Sequence, residues 1–371
     1  MHAQRRGSTR SGFHFLGKAW LLGSMLSLTL SLPVVGQAQG QFVDPLDQPA
    51  AVTQAAHTKP LRALAQAGER LIAAGENGLI IYSDDQGVTW QQARVPVSVD
   101  INALHFSSKT LGWAAGHGGA ILHSRDGGKS WEKQLDGREL ADLVSDFYSQ
   151  GRSGLTPERE EAYLSAIMAM TQPGPGQFFM GVWFDERGQQ GYVVGPFGLF
   201  MASTDGGKTW RPHNTHIDND DLLHLTDIAQ MGSTVAISGE RGHVWVLDPA
   251  TGRFSARDTG YNGTLFGITG NTDVLLAFGL RGHVFRSLDQ GMTWQALDSR
   301  FETGVVAGTV LADGSMLLVS QSAQLARADA AAQALTSLPV ERPSLLTDVV
   351  GISAERFALV GLNGFHTQRL R

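Results

Sequence analysis

The chain contains 371 residues, with a formal net charge of −6 and no cysteine. The absence of thiols excludes disulfides, zinc–thiolate sites and thiol nucleophiles, and an acidic chain is a poor partner for nucleic acid or anionic lipid. Glycine accounts for 45 residues, an excess over the usual level of roughly 7% that favours many tight turns over long helices.

Residues 1–38 have the pattern of a secretory signal peptide. The first 18 residues carry four basic side chains and no acid, and the apolar stretch 19–32 that follows is shorter than the roughly 20 residues of a membrane-spanning helix. Gly36 and Ala38 supply the small residues of a cleavage site. We therefore expect cleavage after Ala38, export to the periplasm or a thylakoid lumen, and no direct membrane insertion after cleavage.

One unit recurs through the rest of the chain: an apolar strand, Gly-x-x-Gly, a second apolar strand and then Ser-x-Asp-x-Gly-x-Thr-Trp. The first residue of the Gly-x-x-Gly turn marks seven units, at Gly75, Gly116, Gly195, Gly239, Gly279, Ser320 and Gly361. The intervals are close to 40 residues, except for 79 residues between the second and third units. Each unit has room for four strands, which is typical of a β-propeller blade. The sequence therefore predicts an all-β fold, a seven-bladed propeller over residues 61–371.

The seventh unit has only three predicted strands. Residues 39–60 precede the first unit, and within them the segment Gln41–Asp47 is expected to supply the missing outer strand. Such a strand closes the ring and leaves no open sheet edge.

The Ser-x-Asp-x-Gly-x-Thr-Trp element, or Asp-box, falls at the turn between the third and fourth strands of a blade. Its Asp is suited to accept backbone N–H groups across the turn, its Gly to adopt a positive φ, and its Trp to pack between blades. Calcium binding or catalysis is the alternative for these acids, but the same acid in four repeats favours a structural role. The predicted structural residues are Ser83, Asp85, Gly87, Trp90, Ser124, Asp126, Gly128, Trp131, Ser203, Asp205, Gly207, Trp210, Ser287, Asp289, Gly291 and Trp294.

These motifs resemble two groups of proteins. The Asp-box alone is the bacterial neuraminidase repeat, which occurs in sialidases, in some glucanases and in non-enzymatic propellers. The fuller pattern, with Gly-x-x-Gly before each Asp-box over seven units behind a signal peptide, resembles the photosystem II stability/assembly factor family over residues 41–371. That resemblance implies a periplasmic or lumenal scaffold without cofactors, whose partner is a protein in a photosystem II-like or transporter complex of the membrane.

A carbohydrate-active Asp-box propeller, sialidase-like or another glycoside hydrolase, is the alternative. A sialidase needs an arginine cluster, a tyrosine–glutamate pair and an acid. Between the predicted cleavage site and the first Asp-box only Arg62 and Arg70 are available, and Tyr261 is the one tyrosine placed in a crossover where it suits such a role. No catalytic set is evident, so we assign no catalytic or metal-binding residue.

The long interval contains a predicted helical insertion at residues 138–176, between blades 2 and 3. Apolar side chains at i, i+3, i+4 and i+7 from Leu140 predict one helix, and a second apolar stripe begins at Tyr163. Thr156-Pro157 resembles a helix start. Two roles are open: both helices pack on the propeller, over its central channel in one arrangement, or they form a hairpin that docks a partner.

Alternating strand direction places the Gly-x-x-Gly turns, the crossovers between blades and the insertion on one face, which is the expected binding face. Arg241 and Arg281 occupy equivalent places in the turns of adjacent units, and Arg300 and Arg342 lie in later crossovers. Guanidinium groups suit carboxylates, and Phe197 in the matching turn of unit three adds an apolar anchor. We predict that a protein partner binds these five residues.

A crossover on the same face contains the best metal candidate. His213 and His216 lie close in sequence to Asp218, Asp220 and Asp221. A solvated acidic loop is the alternative.

Overall fold

The computed structural model describes residues 42–151, 153–171, 178–342 and 344–370. Residues from Val43 onward form one compact unit. The predicted signal peptide at residues 1–38 lies outside the described residues, as does the segment 172–177 at the end of the predicted insertion.

Seven antiparallel sheets follow one another along the chain, and each is one blade. Blade 1 contains β1 (Leu61–Ala67), β2 (Arg70–Gly75), β3 (Ile80–Ser83) and β4 (Gln91–Gln92); blade 2 contains β5 (Ile101–Phe106), β6 (Gly112–Gly116), β7 (Ile121–Ser124) and β8 (Glu132–Leu135); blade 3 contains β9 (Gly181–Phe184), β10 (Gly191–Val194), β11 (Phe200–Ser203) and β12 (Arg211–Pro212). Blade 4 contains β13 (Leu225–Met231), β14 (Thr234–Gly239), β15 (His243–Asp248) and β16 (Arg253–Asp258); blade 5 contains β17 (Leu265–Gly270), β18 (Leu275–Gly279), β19 (Val284–Ser287) and β20 (Gln295–Leu297). Blade 6 contains β21 (Val305–Val310), β22 (Met316–Ser320), β23 (Leu325–Ala328) and β24 (Leu335–Leu338), and blade 7 contains β25 (Leu346–Gly351), β26 (Arg356–Gly361) and β27 (Gly364–Arg369). Two helices, α1 (Gly137–Ser149) and α2 (Pro157–Thr171), separate blades 2 and 3.

The first strand of each blade lies innermost. These strands contact one another around the ring, and β25 contacts β1 where the ring closes. Together they line a central channel of about 650 Å³. The all-β, seven-bladed propeller with a helical insertion between blades 2 and 3 is therefore confirmed. Neither α1 nor α2, nor any shorter helix in the described residues, is long and apolar enough to span a membrane.

Small and aromatic residues pack closely within and between the blades. The second strands are buried apart from Arg70 and Arg356 at their starts, and the Trp113 indole stacks on the Phe184 ring with centroids 3.7 Å apart. Gly112 and Gly191 begin the second strands of blades 2 and 3, where a Cβ atom would lie 2.2–2.3 Å from a phenylalanine ring. Any larger residue at these two positions would displace the ring and open the core.

Blade 7 has three strands, and the expectation that Gln41–Asp47 supplies its outer strand is wrong for residues 43–47. Leu46 is buried in the apolar cluster of blades 1 and 2. The Asp47 carboxylate binds Lys133 and Arg138 at 3.2 and 2.8 Å. Apolar burial and two ion pairs therefore hold this segment at blade 2, away from β27.

The ring closes instead through its inner strands. Thr347 donates its hydroxyl to the Leu61 carbonyl at 2.8 Å, and the Asp348 carboxylate accepts the Leu64 N–H at 2.7 Å. Blades 4 and 5 are joined in the same way, by Thr226 and Asp227. The sequence analysis did not identify these contacts, although Leu-Thr-Asp at 225–227 and 346–348 was their signal.

The insertion packs beside the propeller. Asp136 caps α1 by accepting the Arg138 N–H at 3.0 Å, and α2 begins at the predicted Pro157. Tyr148 donates its hydroxyl to Asn214 and Tyr163 to the Asn219 carbonyl, so both helices dock on the crossover between blades 3 and 4. No described residue of either helix lines the channel.

Candidate partner-binding surface

The four Asp-boxes share one hydrogen-bond pattern, which the copy in blade 3 illustrates. Ser203 Oγ donates to Asp205 Oδ1 at 2.9 Å and accepts the Gly207 N–H at 2.8 Å. Thr209 donates its N–H to Oδ1 of Asp205 at 2.9 Å and its hydroxyl to Oδ2 at 2.7 Å. Gly207 has φ +83°, which L-residues with side chains rarely adopt. Both oxygens of the carboxylate are thus used inside the turn.

Asp85, Asp126 and Asp289 make the same bonds in their own turns. The Thr89 hydroxyl is the main cause that holds the pKa of Asp85 at about 2. The indoles pack between blades: Trp90 meets Phe365 of blade 7 edge-on, with centroids 4.5 Å apart. This geometry supports a structural role for the Asp-boxes, because their carboxylates already have donors at both oxygens.

The opposite face carries the Gly-x-x-Gly turns, the crossovers and the insertion, and we refer to it as the insertion face. Backbone hydrogen bonds tie the turns to neighbouring crossovers: the Gly78 N–H donates to Val99 O, and the Gly242 N–H donates to Gly263 O, each at 2.7 Å. The first residue of α1, Gly137, donates in the same way to the turn of blade 2. All five predicted partner-binding residues lie in turns or crossovers of this face.

The third residue of the Gly-x-x-Gly turn adopts a left-handed backbone conformation in blades 1 to 5. These residues are Asn77, Gly118, Phe197, Arg241 and Arg281, with φ between +53° and +64°. Gly and Asn accept that conformation readily, whereas bulkier residues lose about 1–2 kcal/mol. The chain therefore places one Phe and two Arg residues at exposed turn positions whose backbone conformation is unfavourable for residues with bulky side chains.

The structure separates the two arginines of the predicted pair. Arg241 Nη1 lies 2.6 Å from Asp221 Oδ2, so an acid of the preceding crossover neutralises it locally. Arg281 is exposed and forms no ion pair with any residue that the structure describes. The sequence did not reveal the Asp221–Arg241 ion pair, because only the folded path of the crossover between blades 3 and 4 brings Asp221 next to the turn.

Arg300 and Arg342 resemble Arg281: both are exposed and lack an ion pair within the described ranges. By contrast, Arg62 of blade 1 pairs with Asp100 at 2.9 Å, and Arg241 of blade 4 pairs with Asp221 at 2.6 Å. Among the residues described, the three arginines of the predicted binding site that lack an ion pair, Arg281, Arg300 and Arg342, therefore lie on blades 5 to 7.

Exposed leucines accompany the free arginines. Leu280 and Leu362 occupy the second position of their Gly-x-x-Gly turns, and Leu345 lies in the crossover before blade 7; they are 39%, 48% and 47% exposed. The sequence signal was available, because the equivalent residues of blades 1 and 4 are Glu76 and Glu240. This sector combines apolar and cationic side chains.

Phe197 borders a pocket of about 350 Å³ between blades 3 and 4, which Leu222, His224 and Arg241 also line. The Phe197 N–H donates to His224 Nδ1 at 2.9 Å, and the two rings meet edge-on at 4.6 Å. The Phe197 side chain is 47% exposed. It therefore presents apolar surface at the rim of the pocket, next to the Arg241–Asp221 pair.

The candidate metal site at His213, His216 and the neighbouring acids is not formed by the residues that the structure describes. Each acid of the loop binds a different arginine; the pairs are Asp218–Arg253, Asp220–Arg159 and Asp221–Arg241. His213 is buried against His216, and burial lowers its pKa to about 3. Among the described residues, no group of three or more His, Asp or Glu is arranged to hold a metal ion.

Tyr261 serves packing in the described structure. Its hydroxyl donates to the Leu280 carbonyl at 3.0 Å, and its ring lies against His283 with centroids 4.3 Å apart. These contacts brace the turn of blade 5, so they support a structural role for this tyrosine.

Comparison with known proteins agrees with the repeat. The model of the BNR/Asp-box repeat matches residues 81–92, which include the first Asp-box. The chain is a seven-bladed β-propeller with BNR/Asp-box repeats. No curated protein matches its sequence.

Several solved structures share the fold. A structure of YCF48 bound to D1 peptide is 15% identical, with a TM-score of 0.60 over 89% of this chain and 98% of that one. YCF48 from Cyanidioschyzon merolae is 14% identical, with a TM-score of 0.59 over 87% of this chain and 98% of that one. The WD40 propeller domain of Doa1 is 10% identical, with a TM-score of 0.56 over 86% and 95%. At these identities the likeness establishes the fold alone.

Proposed function

We propose that this chain is an exported, non-enzymatic scaffold that binds a protein partner during assembly of an envelope membrane complex. The partner binds the insertion face. The sequence pattern of residues 1–38 supports export to the periplasm, or to a thylakoid lumen in a photosynthetic organism.

The observation that carries this proposal is the left-handed backbone at Phe197, Arg241 and Arg281. Backbone strain of this kind persists where a side chain is needed, and it is concentrated at functional sites. In blades 1 and 2 the same position is filled by Asn77 and Gly118, which fit it without loss. Arg241 and Phe197 also contact Asp221 and His224, whereas Arg281 has no ion pair among the described residues, so its side chain is available for contact with another molecule.

The chemistry of the face indicates the kind of partner. Arg281, Arg300 and Arg342 offer free guanidinium groups, which suit carboxylates in a bidentate geometry. The exposed leucines beside them add apolar contact area. The partner surface is accordingly a protein segment with acidic and apolar side chains, and the presence of a D1 peptide on the YCF48 propeller supports a peptide as ligand for this fold.

A carbohydrate-active enzyme is the alternative, since the BNR/Asp-box repeat also occurs in such enzymes. Its test is a panel of sialosides and other glycosides with the purified chain. Hydrolysis that persists in Arg281→Glu and disappears in a variant of a channel carboxylate such as Asp227 would favour the enzyme over the scaffold.

The scaffold is tested by affinity purification from solubilised membranes with a tagged chain. We expect Arg281→Glu to reduce recovery of the partner at least tenfold, while the matched variant Lys208→Glu leaves recovery unchanged. Lys208 is an exposed residue of the Asp-box turn of blade 3, so its substitution makes the same charge change on the opposite face. Equal recovery of the partner by both variants would show that Arg281 and its face do not form the binding site.

A second substitution at the same position separates binding from folding. Arg281→Asn keeps a residue that accepts the left-handed conformation and removes the cation. We expect unchanged or higher stability, by up to about 1 kcal/mol, together with weaker binding. Thermal unfolding and the same purification measure the two effects.

A further inference from the structure

The outer edge of β27 in blade 7 is unpaired within the described chain. The hydrogen bond from the Leu370 N–H to Glu355 O at 2.8 Å fixes the alternation of the β26–β27 pair. Phe365, Thr367 and Arg369 therefore direct their backbone N–H and C=O groups away from β26. No residue that the structure describes forms a backbone hydrogen bond with them on that side.

The segment expected at this edge is held elsewhere. Residues 43–47 lie at blade 2, where Leu46 is buried and Asp47 binds two cations. Blades 1 to 6 each have an outer strand from their own repeat. Blade 7 is thus the one blade of the described chain with three strands; residues 56–58 lie against Gly364 at the start of β27, and the strand beyond Gly364 has no neighbour strand on its outer side.

Two adjoining grooves lie near the end of β27. One, of about 240 Å³, is lined by Pro339 and by the end of β27 at residues 368–370. A second groove of about 240 Å³ extends to Arg300, and the two share Leu338 and Val340. The shared leucine and valine give both grooves apolar lining, and the first groove reaches the end of β27.

The charges at the groove indicate its ligand. Arg369 lines the groove at the end of β27 and Arg300 lines the adjoining one; both are exposed, and neither has an ion pair among the residues described. Glu341 is the one acid in the lining. The groove therefore carries more positive than negative charge on a chain of net charge −6.

We propose that the outer edge of β27 binds an extended peptide segment of the partner, which adds as the fourth strand of blade 7. This inference rests on the proposed protein-binding function and gives it a second contact at the rim of the propeller. Main-chain hydrogen bonds supply the affinity of strand addition, and alternate side chains supply the selectivity. Apolar side chains of the segment lie on Leu338 and Val340, and carboxylates face Arg300 and Arg369.

The test uses the full chain and peptides from a displayed random 12-residue library. We expect the selected peptides to alternate apolar residues with acids. Thr367→Pro removes an outward N–H at an edge position where proline is tolerated, so the dissociation constant in fluorescence anisotropy should rise about tenfold or more. The matched variant Thr367→Ala loses the side chain and keeps the N–H, so its binding should stay within about twofold of the wild type.

Binding of modified peptides to the wild-type chain tests the proposal even if the Thr367→Pro variant does not fold. A selected peptide can be N-methylated either at its odd-numbered or at its even-numbered residues. Only alternate N–H groups of an added strand face β27, so we expect one methylated form to bind and the other to lose binding. Equal binding of both methylated forms, or of Thr367→Pro and wild type, would overturn the proposal.

Two other occupants of the edge have distinct outcomes. Self-association that is detected by light scattering and lost in Thr367→Pro would assign the edge to a second copy of the chain. Peptide binding that appears only after removal of residues 1–42 would assign it to the chain's own N-terminal segment. Either result would overturn a partner peptide, while partner recovery that depends on Arg281 would leave the proposed function standing.

Discussion

Substitution of Asp348 tests how the ring is closed. The Asp348 carboxylate accepts the Leu64 N–H across the joint between blades 7 and 1, and it lies in the central channel. Burial raises the pKa of Asp348 from 3.8 to about 7. Because the pKa of the folded state is above that of the unfolded state, the charged form destabilises the fold. Stability that is present at acid pH is therefore lost as the pH rises towards 7.

The size of the effect follows from the shift. Each pKa unit corresponds to about 1.4 kcal/mol, so raising the pH from 5 to 8 should remove up to about 3 kcal/mol through this one carboxyl. Because Asp348 faces a channel that solvent reaches, this figure is an upper limit. Asp227 contributes in the same direction, since burial raises its pKa to about 6.

Buried histidines oppose this effect. Burial lowers the pKa of His105 to about 4 and of His123 to about 4, so their contribution to stability is lost as the pH falls below about 6.5. Among the other titratable side chains, Arg62 and Glu186 also line the channel. The difference between wild type and Asp348→Asn cancels the contributions of these groups, apart from that of Asp227, whose charge also raises the pKa of Asp348.

The assay is urea unfolding at pH 5, 6, 7 and 8 for wild type and Asp348→Asn. We expect the variant to gain stability relative to wild type as the pH rises from 5 to 8, and the difference between them to be smallest at pH 5. A difference in unfolding free energy that is the same at every pH would refute the role of burial at this carboxyl.

The remaining predictions concern the Asp-box and the insertion. Asp205→Ala leaves Ser203 and Thr209 without their acceptor and should lower stability by about 1–3 kcal/mol in chemical denaturation, with no effect on the affinity of the folded protein for its partner; an unchanged midpoint would contradict the structural role. Asp205→Asn, which keeps one carbonyl acceptor, should lose less. Leu140→Ala removes a fully buried side chain of α1 and should lower stability by about 2–5 kcal/mol if the insertion unfolds with the propeller, whereas an intact urea midpoint with early proteolysis of residues 137–171 would show that the insertion unfolds by itself.

Much of the fold was determined by the sequence itself. Period, glycine positions and Asp-box motifs recur locally, and each motif specifies a turn through bonds within a few residues of it, as Ser203 and Asp205 show. Local geometry of this kind is readable without the rest of the chain. The number of blades, the place of the helical insertion and the start of α2 at Pro157 follow from the same type of signal.

Contacts between distant segments were decided only in the tertiary structure. The number of strands in the repeats predicts that residues 41–47 complete blade 7. Burial of Leu46 and the two cations at Asp47 instead hold residues 43–47 at blade 2. The neutralisation of Arg241 by Asp221 likewise depends on the path of a crossover. Both outcomes depend on which charged and apolar side chains come into contact in the folded chain. The repeat pattern determines the turns on which these side chains lie, but it does not determine their contact partners.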